Sequence, residues 1–281
     1  MSNDKLPAIG EVAFAEIDGL SIRYARTGVL KGIPIVLTAP WPESFYSFHR
    51  LAPHLAAKHP LLLVDLPGFG LSQSRPDVMA PEAMGIFYVK LLQHFGFDRV
   101  HVVSPDVGTP AVLFAASENP ELFESLVIGS AAMRPELAAG VLKDLIYSPT
   151  GYLLEVGADG VKGYLDHAAV LTPAAIIEDF RAASSGRRFD EATQFVRGYL
   201  QDSSKLEPKL PGIKTPALII TGKNDPIVPS VNGEFLAEKL PNNRYVPLEA
   251  EHRVWEEAAK EYIETITSWF GGDYHSLEKT S

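Results

Sequence analysis

A chain of 281 residues, 46% hydrophobic and 21% charged, has globular proportions: disorder would need less apolar content and a membrane protein more. Its 35 acidic and 25 basic side chains leave a formal net charge of −10, which argues against nucleic acid or an anionic lipid surface as partner. With no cysteine, no apolar run long enough to span a bilayer and no basic-then-apolar segment in residues 1–10, the expectation is a cytoplasmic chain without disulfide, thiolate site, membrane span or signal peptide.

Glu11 to Asp18 and Leu20 to Arg26, split by Gly19, have the pattern of a hairpin. Ile33 to Thr38 (IPIVLT) and Leu61 to Asp65 (LLLVD) are short apolar runs, as parallel strands covered on both faces require. Between them Ser44 to Lys58 has helical spacing, with Phe48, Leu51 and Leu55 on one stripe. A helix is predicted over Pro81 to Phe95, ending before Gly96. Strand Val100 to Val103, helix Pro110 to Ser117 and strand Ser125 to Ile128 follow. Such alternation specifies a doubly wound, mostly parallel sheet in an α/β fold. From Arg134 to Leu206 only helices are predicted: Pro135 to Tyr147, Pro173 to Ala183 and Glu191 to Gln201. Alternation then resumes with strand Ala217 to Thr221, helix Val231 to Leu240, strand Arg244 to Pro247 and helix Arg253 to Phe270, before a tail expected to fray. The expected architecture is an α/β core of residues 1–133 and 207–281, interrupted at 134–206 by a helical cap. Such a cap would lie over the carboxyl ends of the strands, where open α/β sheets bind ligands.

Val102 to Pro110 (VVSPDVGTP) joins a predicted buried strand to a predicted helix. A sharp strand-to-helix turn crowds the backbone and needs small residues two before and two after its apex. Ser104-x-Asp106-x-Gly108 satisfies that frame; with Ser104 at the apex the flanks become Val102 and Asp106, which fails. The apex is then a carboxylate. An aspartate before a helix can equally be a simple N-cap, but two later residues favour chemistry. Asp225 lies on the loop leaving strand Ala217 to Thr221, and His252 just after the next strand. Glu249 and Glu251 flank that histidine as competing partners; a strand-end loop favours Asp225. The order nucleophile, acid, histidine is that of the α/β-hydrolases.

Over nearly its whole length the sequence resembles the α/β-hydrolase superfamily, the turn Asp65 to Ser72 (DLPGFGLS) included. With aspartate at the apex it resembles the epoxide hydrolase and haloalkane dehalogenase branch, and Trp41-Pro42-Glu43-Ser44 is similar to the epoxide hydrolase form of the oxyanion loop. A carboxylate can displace at saturated carbon and form an ester, which a histidine-activated water then hydrolyses. Asp106 would attack, His252 oriented by Asp225 would activate the water, and the Val107 N–H would hold the oxyanion. The resemblance implies that the Trp41 N–H is the second donor. It also implies a small to medium apolar epoxide as substrate, no cofactor or metal, and room for a homodimer. The chain departs from the pattern at Ala39 and Pro40, where the resembled families carry His-Gly, and at Pro105, where this branch commonly has histidine.

A halide leaving group needs N–H donors, usually indoles, yet Val107 stands where the resembled dehalogenases place tryptophan, and the cap contains none. An epoxide oxygen needs a hydroxyl acid, and the cap offers Tyr147, Tyr152, Tyr164 and Tyr199. In the resembled epoxide hydrolases cap tyrosines play this part, and Tyr152 and Tyr199 match their positions best. Each could equally be a packing residue. Lys143-Asp144 and Arg187-Arg188 read as solvated surface and Trp255 as packing. The other histidines show no pair at metal spacing. A dehalogenase with the same triad, a ligand-binding protein that kept the fold, and a lyase-type use of His252 remain as alternatives.

Overall fold

In the computed structural model, which describes residues 5–147 and 161–277, the expected alternation folds into one sheet. Its strands are β1 (Glu11–Ile17), β2 (Leu20–Gly28), β3 (Ile35–Thr38), β4 (Pro60–Val64), β5 (Val100–Val103), β6 (Phe123–Ile128), β7 (Ala217–Gly222) and β8 (Asn243–Leu248). Their order is β1-β2-β4-β3-β5-β6-β7-β8. β2 pairs antiparallel with β1 and β4, and every other neighbouring pair is parallel. β3 and β5, in the middle, are buried at every position, which is why their sequences are mostly apolar rather than alternating; the polar exceptions, Thr38 and His101, are hydrogen-bonded to Ser104 and Ser125. Each such buried aliphatic side chain contributes roughly 1.5–3 kcal/mol.

The core helices are α1 (Ala52–Ala56), α2 (Pro81–His94), α3 (Gly108–Glu118), α8 (Val231–Lys239), α9 (Val254–Glu257) and α10 (Ala259–Phe270). Between β6 and β7 come α4 (Gly140–Tyr147), α5 (residues 161–168), α6 (Ala174–Ala183) and α7 (Arg188–Leu206). No described helix is long and apolar enough to cross a membrane.

Several predicted elements are corrected. Ser44 to Lys58 is not one helix but a 3-10 turn at Phe45–Phe48 followed by α1, because Pro53 lacks the N–H a continuous helix needs. Phe48, Leu51 and Leu55 are nonetheless all buried. Pro135 to Tyr147 breaks at Ala138, which is extended, and the final helix breaks at Ala258. The tail does not fray as far as Leu277: Tyr274 is buried, and its hydroxyl donates to Glu124 at 3.0 Å.

The helical segment is tied to the sheet by buried charge. Arg23 on β2 donates to Asp179 on α6 at 2.7 Å and lies 3.5 Å from Asp65 at the end of β4. The Ser44 hydroxyl donates to the same Asp179 at 2.5 Å. Arg188 is not solvated surface, for it donates to the carbonyls of Ser72 at 2.9 Å and of Gly70 and Leu71 at 3.3 Å.

Candidate active site

Trp41, Asp106, Asp225 and His252 follow the carboxyl ends of β3, β5, β7 and β8. Asp106 is the apex of the turn between β5 and α3, with φ +53°. A non-glycine residue holds that conformation only where its surroundings enforce it. Here its N–H donates to the Gly129 carbonyl at 2.8 Å and its own carbonyl accepts from Thr109 at 3.0 Å. Gly108 must be small: a Cβ there would meet Ser104 Oγ at 2.4 Å and Thr38 Oγ1 at 2.5 Å. The small-residue frame of the sequence thus has a direct steric cause.

The Trp41 N–H donates to Asp106 Oδ2 at 2.7 Å, and the Val107 N–H beside it also favours the carboxylate anion. Replacement of His-Gly by Ala39 and Pro40 therefore leaves the Trp41 donor in place; Ala39 is itself held by an N–H to the Val64 carbonyl at 3.0 Å. Burial pushes the Asp106 carboxyl up to about 6, although the His252 charge and the two N–H groups oppose the shift.

Asp225 is braced by N–H bonds from Ile227 and Val228 to Oδ1, both at 2.8 Å. Its Oδ2 accepts from His252 Nδ1 at 2.8 Å, so Glu249 and Glu251 do not take that place. Gly222 lets the two loops close together, since a Cβ there would lie 1.8 Å from the Glu251 carbonyl. His252 Nε2 lies 3.9 Å from Asp106 Oδ1. Burial disfavours the imidazolium, but Asp225, with help from Asp106, outweighs it and raises His252 to about 9.

A cavity of about 60 Å³ opens between these residues and the helical segment, walled by Trp41, Leu142, Leu145, Val161, Phe189 and Ile227. The Trp41 ring stacks on Phe189 at 5.1 Å. A wider outer chamber of about 340 Å³ adjoins it, and Val141, Tyr164, Ile227 and His252 border both. Tyr164 is thus brought to the site, with Asp106 and His252 on the same wall. Tyr199 is buried, and the Asp106 charge, after burial itself, holds its hydroxyl well above the ordinary range. Tyr147 is 54% exposed and does not line the cavity. Tyr152 lies outside the described residues.

Two charged residues beside the site carry no spacing signal and escape sequence reasoning. Glu43, fully buried, accepts from Tyr164 Oη at 2.8 Å, Arg253 Nε at 2.5 Å, Trp255 Nε1 at 3.0 Å and the Ser47 hydroxyl. Arg253, directly after His252, is 2% exposed. Trp255 packs as expected but also commits its indole to Glu43, and the Trp269 indole donates to Ser125 at 3.0 Å.

The family described as the alpha/beta hydrolase fold matches residues 33–149. A soluble epoxide hydrolase of Corynebacterium sp. (strain C12) is 32% identical over 114 residues, which are 41% of this chain and 39% of that protein. The uncharacterized hydrolase YugF of Bacillus subtilis (strain 168) is 26% identical over 251 residues, covering 85% of this chain and 89% of its own. Among solved structures, the epoxide hydrolase CorEH superposes with a TM-score of 0.78 at 21% identity, covering 93% of this chain and 98% of that one, a likeness that speaks for the fold. Sheet order, turn geometry and these likenesses agree: the chain has the α/β-hydrolase fold.

Proposed function

We propose that the chain is a hydrolase in which Asp106 forms a covalent ester with its substrate, most readily a small apolar epoxide opened to a diol. The observation that carries this is Asp106 at the strained apex, its carboxylate on the Trp41 N–H at 2.7 Å and His252 Nε2 at 3.9 Å. A carboxylate oxygen would attack a ring carbon, the C–O bond would break, and the ring oxygen would take a proton from a tyrosine hydroxyl. His252 would then draw a proton from water as its oxygen adds to the Asp106 carbonyl carbon. The N–H groups of Trp41 and Val107 would hold the oxyanion, collapse would release the diol and restore the carboxylate, and the proton taken up by His252 would return, through solvent, to the tyrosinate. Loss of one such donor typically costs roughly 3 kcal/mol.

The charge on His252 fits this order. Asp106 is one of the groups that raise it; ester formation removes that negative charge, so the imidazolium gives up its proton more readily and more of the ring is neutral, free to accept a proton, when water must be activated. No step calls for a cofactor. Residues 134–206 would serve as the cap, bringing Tyr164 and the apolar wall over the carboxylate. A halide leaving group would find at most one indole, that of Trp41 in the cavity wall, because those of Trp255 and Trp269 are bonded to Glu43 and Ser125. Likeness to the Corynebacterium enzyme supports the same choice.

Asp106→Asn should abolish turnover of small epoxides. His252→Gln should accumulate an adduct heavier by one substrate mass, seen by intact-protein mass spectrometry. Epoxide turnover unaffected by both changes would refute the mechanism, and stoichiometric ligand binding without an adduct would favour a binding protein.

A further inference from the structure

A buried ion pair joins the two loops that carry the site. Glu43 stands two residues after Trp41, Arg253 one after His252, and Arg253 Nε donates to Glu43 Oε1 at 2.5 Å. Each partner also reaches the helical segment: Tyr164 Oη donates to the same Oε1 at 2.8 Å, and Arg253 Nη2 donates to Thr172 Oγ1 at 2.9 Å. The other Glu43 oxygen accepts from Trp255 Nε1 at 3.0 Å and from Ser47. Burying two charges is costly unless their hydrogen bonds are well satisfied, and here the bonds lead from the catalytic loops to one residue lining the cavity.

We propose that Arg253 is a positioning residue that, through Glu43, presents the Tyr164 hydroxyl to the oxygen of the opening substrate and, through Thr172, holds residues 161–172 over Asp106. This role rests on the Asp106 ester mechanism proposed above. A tyrosine hydroxyl has one proton to give. In the structure it goes to Glu43 Oε1; by donating to that same oxygen, Arg253 weakens the carboxylate's claim on it, so an incoming substrate oxygen can compete. Without Arg253 the unopposed carboxylate would keep the proton, and the tyrosine would turn from the cavity.

The test is single-turnover ester formation in the His252→Gln background, which needs no water activation. Adding Arg253→Met should slow the step by about tenfold or more, the scale of a misplaced catalytic group. Tyr164→Phe should slow it similarly, and the two together should be no slower than the slower one alone, the mark of residues acting as a unit. Arg253→Lys, which keeps a charge on Glu43 without spanning to Thr172, should fall between, and it stands in for Arg253→Met if that variant does not fold. Ester formation at an unchanged rate without Arg253, or losses that multiply in the double variant, would overturn the proposal. No ester in His252→Gln alone would instead sink the Asp106 mechanism, and this role with it.

Discussion

Asp106 is held between two opposed influences, burial that favours its protonated form and a neighbouring imidazolium that favours the anion. Burial prevails, so the carboxyl gains its proton as pH falls through about 6 rather than in the usual carboxylate range near ~4. On the proposed mechanism only the anion attacks carbon, so kcat/KM is expected to fall on the acid side of about 6. In His252→Gln the opposing cation is gone, so the acid limb of ester formation should move to still higher pH. Glu43, whose charge also raises Asp106, and the hydroxyls of Tyr164 and Tyr199 stay in place in that variant. A stopped-flow or quench-flow pH series checks both limbs, and a limb near ~4 in wild type would contradict the argument. The residues brought together here were legible in sequence because crowding dictates their neighbours: Ser104 and Gly108 mark the apex, and the order of Asp225 and His252 follows from the strands that precede them. Glu43, Arg253 and Arg188 were not, since a lone charge looks the same on a surface as in a buried pair.

At the level of elements, β3 to β7 were readable because burial leaves a largely apolar run, and helices α2, α3 and α8 because turns bound them. α5 was overlooked although Val161, Leu165 and Ala168, all buried, recur at helical spacing; the glycines around it read as a break. The divided element at residues 253–270 shows a local pattern yielding to packing, for the break after α9 leaves Trp255 turned inward to Glu43 while α10 buries Tyr262, Ile266 and Trp269. Attachment of α6 to the sheet rests on Arg23, which faces both Asp65 and Asp179. Arg23→Met would leave two buried carboxylates without their cation, a loss of roughly 3–5 kcal/mol. Urea denaturation monitored by tryptophan fluorescence measures it, and an unchanged midpoint would mean that the pair does not tie α6 down.

For the molecule as a whole, the cap role proposed for the helical segment would make its boundary with the sheet the limit on what can reach the carboxylate. Leu145 on α4 is buried and forms part of the apolar wall. Leu145→Ala is expected to destabilise the fold by about 2–5 kcal/mol and, by enlarging the inner cavity, to shift the preferred substrate toward longer chains. A panel of epoxides of increasing length, compared by kcat/KM, reads the shift, and an unaltered preference would show that the limit lies elsewhere. The inner cavity, at about 60 Å³, is on the scale of a few water molecules, so small changes in its wall matter.

The shared border of the two chambers has a consequence for traffic. Val141, Tyr164, Ile227 and His252 border both, so a doorway from one to the other would pass these four side chains. On the proposed chemistry, a compact substrate clears that doorway once it is esterified and water can follow it in. An elongated one leaves its tail in the frame and becomes a stopper against its own release.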